Sequence, residues 1–469
     1  MRSIMAASAL VCFLSISATA HGETGDTCGT GEKLSFSGSV EFETAEMLKA
    51  RKYGLAQKDI PQASKTVDHV WFGHAIGTFN VEGNPAPSLK VRAAFELRQY
   101  YMTMLLPENI QDQYLGRYQF TNFYLREGQG IFPLLRNGPV SLDMAVGLMP
   151  YKYNPEVRNL GEFLFRSGTY PLFLLGEFDR PFARVTGLRT GLKYDGAGLN
   201  AKLDVMALIE REIRPFNDIS LAIIGNVSLL KVIDIGAGVD FARAIPVNSE
   251  LTRPTSKGGS QYIIYNSDST EADTGYYTFA GTKVMVRGTI DPFWMVRGNG
   301  GSLIGKLLGK NGGKLYGEIA AIGLKNYPAN QIVARAGNPK GYTSFKERTP
   351  WMAGVTIPMW KVLDMCVFEI ERFPSPNPDD YAVVSFRGLP VPSSLLVGPG
   401  YMLADYQPRW NWSLYMKKQI MSNFSMVCQM GRDHQRWETN MVQSGDYDFE
   451  AAMVKPDQWG WHLSGIFNF

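Results

Sequence analysis

The last eleven residues, Trp459-Gly460-Trp461-His462-Leu463-Ser464-Gly465-Ile466-Phe467-Asn468-Phe469, decide how this chain is to be read. Counted by twos from the end, one set is Phe469, Phe467, Gly465, Leu463, Trp461 and Trp459, and the other is Asn468, Ile466, Ser464, His462 and Gly460. Side chains on a strand alternate between its two faces. This strand therefore meets an apolar medium on one side and a polar one on the other. The last strand of a soluble sandwich alternates in the same way, so the choice between the two rests on whether long runs of this kind recur.

They recur along the chain. Leu34, Phe36, Gly38, Val40 and Phe42 alternate with Ser35, Ser37, Ser39, Glu41 and Glu43. Leu89, Val91, Ala93, Phe95 and Leu97 alternate with Lys90, Arg92, Ala94, Glu96 and Arg98. In the run from Leu199 to Glu210 the polar set Asn200, Lys202 and Asp204 is diluted by Met206 and Leu208. Such runs are about ten to thirteen residues long, whereas strands of soluble domains run to about five or six and a tilted strand needs roughly nine to eleven to cross a bilayer. Hydrocarbon offers the backbone no hydrogen bonds, so strands can cross it only as a closed barrel. The fold class predicted is all-β, a transmembrane antiparallel barrel.

Sixteen strands are predicted near 33–43, 68–80, 88–101, 115–126, 139–149, 182–194, 198–210, 218–229, 231–243, 276–290, 314–325, 348–359, 361–373, 409–419, 422–433 and 459–469. Tight turns then fall on one side, at Gly83-Asn84-Pro85, Asp195-Gly196, Leu230-Lys231, Trp360-Lys361 and Gln419 to Met421. Longer segments fall on the other, at 44–67, 150–181, 244–275, 326–347, 374–408 and 434–458. Short turns on one rim and long loops on the other mark outer-membrane barrels; the connection 291–313 is too long for its short-turn side. Trp71, Trp351, Trp360, Trp410, Trp412, Trp459 and Trp461 lie near predicted strand ends, where headgroup-level girdles would place them.

On these features the stretch 33–469 resembles the sixteen-stranded porins of Gram-negative outer membranes, in architecture rather than in any residue-level motif. The closing Phe467 and Phe469 resemble the barrel-insertion signal of such proteins. The resemblance implies an outer-membrane location, contact with outer-membrane lipids, and recognition by the barrel-assembly machinery. It further implies a channel for passive diffusion of small hydrophilic solutes, without catalysis. Many porins associate as homotrimers, although lipid-facing and subunit-facing apolar residues read alike in a sequence. The alternative function is an outer-membrane barrel enzyme or adhesin acting through its external loops. A plugged, energy-coupled transporter is disfavoured, because residues 21–32 leave no room for a plug domain.

The remaining signals agree. Met1-Arg2-Ser3, an apolar run and Ala18-Thr19-Ala20 read as a signal peptide over 1–20, followed by a short periplasmic segment over 21–32. No later stretch reaches the length of an apolar transmembrane helix. The chain is 12% aromatic and 19% charged, with 48 Gly and a formal net charge of +3; charge so near balance argues against nucleic-acid binding. Gly300 to Lys306 spells a phosphate-loop frame, but Leu307 stands where a metal-binding hydroxyl is needed. Asp433-His434 is an acid–base pair without a nucleophile constellation. Cys28, Cys366 and Cys428 show no metal spacing, and no cofactor or metal is expected.

Segment 150–181, the third connection on the long-loop side after 44–67 and 102–114, is the candidate constriction loop. Asn154-Pro155-Glu156 predicts a helix start, with Val157, Leu160, Phe163 and Leu164 at helical spacing and Gly168 as its stop. Glu156, Arg158, Glu162 and Arg166 would then face the lumen. On the polar faces of the strands, the pore-lining candidates are Lys90, Arg92, Arg98, Lys202, Asp204, Lys283, Arg287 and Glu318. Across all those faces ten basic residues stand against nine acidic ones, which predicts no strong ion preference by number. The row Lys90, Arg92, Arg98 is the best candidate for selectivity, as cations that could oppose an acidic loop.

Overall fold

The computed structural model describes residues 34–53, 66–86, 88–102, 121–165, 178–179, 182–211, 216–249, 261–265, 271–276, 279–294, 312–324, 344–360, 362–374, 409–432, 437–439, 452–456 and 459–469. The expected signal peptide and periplasmic segment, Arg166, the frame 300–306 and Asp433-His434 lie outside the described residues.

Sixteen strands form the wall: β1 (Ser35–Tyr53), β2 (Thr66–Ala86), β3 (Leu89–Met102), β4 (Thr121–Asn137), β5 (Val140–Tyr151), β6 (Phe182–Asp195), β7 (Leu199–Ile209), β8 (Ile219–Leu229), β9 (Ile233–Ile245), β10 (Gly281–Ile290), β11 (Leu315–Ala321), β12 (Trp351–Thr356), β13 (Met365–Phe373), β14 (Arg409–Met421), β15 (Phe424–Arg432) and β16 (Gly460–Asn468). Each pairs antiparallel with its neighbours in sequence, and β16 pairs with β1 from Ser39↔Asn468 to Met47↔Gly460. The last bonds of the closure are Gly38 N to Phe469 O (2.9 Å) and Phe469 N to Gly38 O (3.0 Å). An open sheet leaves two rows of unpaired backbone groups; closure removes both. Of the shorter strands, Gln261–Tyr265 and Glu271–Tyr276 form a separate hairpin, whereas the hairpin of Trp437–Thr439 with Ala452–Pro456 adds to the wall at the end of β1 and Phe178–Asp179 pairs with the start of β6.

The strand number, closure and turn asymmetry read from the sequence hold, but several boundaries move. The fourth strand runs to Asn137, not to 126, and turns at Gly138-Pro139. Gly128, Gly130 and Pro133 lie within this strand. The structure accommodates Pro133 at a register shift between Pro133 and Leu135, a site where the missing N–H costs little. Gly83-Asn84-Pro85 is likewise not the turn but an irregularity within β2, between the pairs Gly83↔Val91 and Ala86↔Leu89. The turn placed at Gln419 to Met421 falls instead on Ser422-Asn423. Leu230 and Lys231 do form their turn, both at positive φ (52° and 58°), as tight hairpins require. The over-long connection is real: Ile290 pairs with Leu315, so two adjacent strand ends are joined through residues 291–314.

The two faces of the wall differ in kind. Phe36, Phe79, Phe123, Leu203, Val205, Ile223, Ile235, Val286 and Ile319 point outward and are exposed. The alternate positions along the strands point inward and carry many of the buried charged groups, among them Glu96, Arg98, Asp204, Asp240, Lys283, Arg287 and Glu318. Trp351 and Trp410 meet edge to face at 5.5 Å near the long-loop end, while Trp360 is exposed at the opposite end. Cys366 and Cys428 lie on β13 and β15, separated by β14, and are unbridged.

Candidate functional site

A sixteen-stranded barrel encloses more space than its inward side chains fill. Here part of that space is occupied by residues 152–165, which follow β5. They run as bends and a turn, with no helix in 152–165, so the expected helix is corrected over this part. The helical spacing of Val157, Leu160, Phe163 and Leu164 is a packing pattern all the same. These four and Phe165 are fully or nearly fully buried against inward residues of β5 to β13, including Met149, Val185, Met206, Leu208, Ile224, Met285, Met352 and Val367. Burying a Leu or Phe side chain contributes about 1.5–3 kcal/mol, so this apolar contact outweighs the weak preference for a helical backbone.

A helix would also have consumed the amides that instead hold the segment to the wall. Glu369 on β13 accepts from the backbone N–H groups of Arg158 (2.7 Å), Asn159 (3.0 Å) and Leu160 (3.0 Å). Glu371, two residues on, accepts from Gly161 N–H (3.2 Å). Glu318 on β11 accepts from Glu162 (3.2 Å) and Phe163 (3.0 Å), and the Tyr153 hydroxyl accepts from Leu164 N–H (3.0 Å) while donating to Glu318 (2.7 Å). Seven consecutive amides are thus satisfied by side chains. Charge-assisted bonds of this kind are the stronger class. Gly161 and Glu162 take positive φ (83° and 56°), which turns the row of amides from β13 towards β11.

Two glycines make the cradle possible. Tyr316 on β11 lies across β12, where an added Cβ at Gly354 would sit 2.2 Å from its ring, and donates to Glu369 at 2.7 Å. Gly238 on β9 leaves room for Leu164, whose Cδ1 would lie 3.0 Å from a Cβ there.

Of the sequence candidates on this segment, Glu156 reaches Lys314 at 2.7 Å, beside the short-turn end of β11. Arg158 lies against Met365 and the carbonyls of Pro155 and Val157. Glu162 is buried, and its carboxyl is pushed up to about 8 by burial, with the Glu318 carboxylate adding to the shift. Burial likewise brings the Lys152 ammonium down to about 8.

The wall candidates pair locally. Lys90 and Arg92 both engage Glu82, the latter at 2.7 Å. Arg98 engages Glu96 at 2.6 Å, and Lys202 engages Asp204 at 2.6 Å. Arg287 reaches Asp234 (2.5 Å) and Asn226 (2.6 Å) by lying over Gly236. Lys283 stands opposite Asp240 in register. The sequence reading missed Glu369 and Glu371; their i, i+2 spacing on a predicted strand marked them as sharing a face, but Arg372 between them and Phe373 blurred the alternation. It also missed Asp143, Arg189 and Lys193, which form a ladder with Asp204 on β5 to β7.

No family model matches the chain, and no curated protein matches its sequence. Among solved structures it is similar to a mutant of the Rh. blastica porin, at 7% identity and a TM-score of 0.39, over 93% of this chain and 100% of that one. It is similar also to OprB of Pseudomonas putida in its high-pH structure, at 8% identity and a TM-score of 0.42, over 93% of this chain and 94% of that one. The assignment of the fold rests on the register and closure described above.

Proposed function

We propose that the protein is a porin-like channel of the outer membrane, passing small hydrophilic solutes by passive diffusion and catalysing no reaction. The observation that carries this reading is the closed sixteen-stranded wall with an apolar exterior and a charged, partly solvent-accessible interior. Exposed apolar surface on this scale is unstable in water and stable in hydrocarbon. Residues 152–165 narrow the lumen from within, making them the constriction. The same reading supplies the partners: outer-membrane lipids around the wall, the barrel-assembly machinery for the strand ending in Phe467 and Phe469, and two further copies in a homotrimer. Purified mature protein added to a planar bilayer should produce discrete, steady current steps. A sealed barrel that passes neither ions nor sugars in liposome swelling would refute the proposal.

A further inference from the structure

Resting on the channel reading, we infer that the inner wall from β2 to β7, towards the short-turn end, is a track for small anionic solutes. Five basic side chains there share three carboxylates. Lys90 and Arg92 engage Glu82; Arg189 (2.7 Å) and Lys193 (3.9 Å) engage Asp143; Lys202 (2.6 Å) and Arg189 (4.0 Å) engage Asp204. Of the other charged groups towards this end of the wall, Glu127, bonded to Gln129 at 2.6 Å, and the exposed Arg136 offset one another, and the exposed Asp195, two residues beyond Lys193 on the same face, reduces the excess to one positive charge.

Depth adds to the imbalance in number. The Lys202 side chain is 34% exposed over a fully buried Asp204, and Lys193 is 43% exposed over an Asp143 at 18%. Gly191 of β6 is the cause. It lies between the two carboxylates, and an added Cβ would stand 3.0 Å from Asp204 Oδ1 and 3.1 Å from Asp143 Oδ1. With no side chain there, both carboxylates sink over the backbone, and the Tyr151 hydroxyl draws Asp204 further in at 2.7 Å. Of the flanking residues at two-residue spacing on the same face, Lys193 keeps its cationic end above them, while Arg189 lies level with Asp143 and bridges the two carboxylates. The Lys202–Asp204 and Lys193–Asp143 pairs are thereby dipoles whose positive ends face the lumen, and a channel lined by one sign concentrates ions of the other.

The test is the zero-current potential of the mature protein in a planar bilayer across a tenfold KCl gradient. The expected result is chloride preference, falling about fivefold in K193Q/K202Q, the effect of two unit charges within about 8 Å of a permeating ion in water. K193R/K202R should retain the preference. An open pore that prefers potassium, or a chloride preference unchanged in K193Q/K202Q, overturns this inference alone. A bilayer without current overturns the channel reading, and the track with it.

Discussion

Gly354 shows how one missing Cβ governs a contact across three strands. Because the position is empty, the Tyr316 ring lies flat over β12 and its hydroxyl reaches Glu369 on β13. Gly354→Ala should cost about 1–3 kcal/mol by forcing the ring away. Gly288→Ala, where a Cβ would meet nothing within 4 Å, is the matched control and should cost little. Denaturant unfolding of both variants in detergent reads the difference; equal losses would show that the tyrosine contact contributes nothing. At the same scale lies Glu369, whose two oxygens serve three loop amides and a tyrosine. Glu369→Gln replaces one acceptor oxygen by a donor, stranding buried N–H groups at about 1–3 kcal/mol each. Single-channel recording should show larger and noisier currents; an unaltered trace would mean that the segment is held by its apolar contacts alone.

Among the elements, the segment 152–165 is the one whose docking depends on pH. Glu162 has its carboxyl raised from 4.5 to about 8, mainly by burial. The folded chain therefore favours the protonated form. Its contribution to stability is full below pH 4.5 and is lost as pH rises through about 8. Glu162→Gln imitates the protonated form throughout. Between about pH 5 and 8, the melting temperature of the wild type should fall relative to that of this variant, and parallel profiles would show Glu162 ionised in the folded state. The element was only half legible. Met206 and Leu208, which dilute the polar face of β7, read as irregularities, yet they are the wall on which this segment packs. The apolar spacing of the segment itself was read as helical because helices and packed irregular chains can bury the same residues. Only the position of Glu318, Glu369 and Glu371 across the lumen shows where its amides go.

At the scale of the whole molecule, the outward face meets one medium and the inward face another, with a single residue step between them. Lys202 and Leu203 are neighbours in sequence with opposite surroundings. Leu203→Arg should lower the stability of the folded barrel in lipid by about 2–4 kcal/mol if the residue lies near the midplane. Urea titration in vesicles measures it, and a neutral result would place β7 outside hydrocarbon.

The sequence by itself determined the all-β class, the two faces of each strand, the strand number and the asymmetry of the two rims. All of these follow from period-two alternation and turn chemistry, which act between neighbours along the chain. Tertiary structure alone decided the path of residues 152–165, the pairing of wall charges and the sinking of Asp143 and Asp204 over Gly191. Those depend on side chains brought together by closure from strands far apart in sequence, and no local pattern encodes which inward residue will face which.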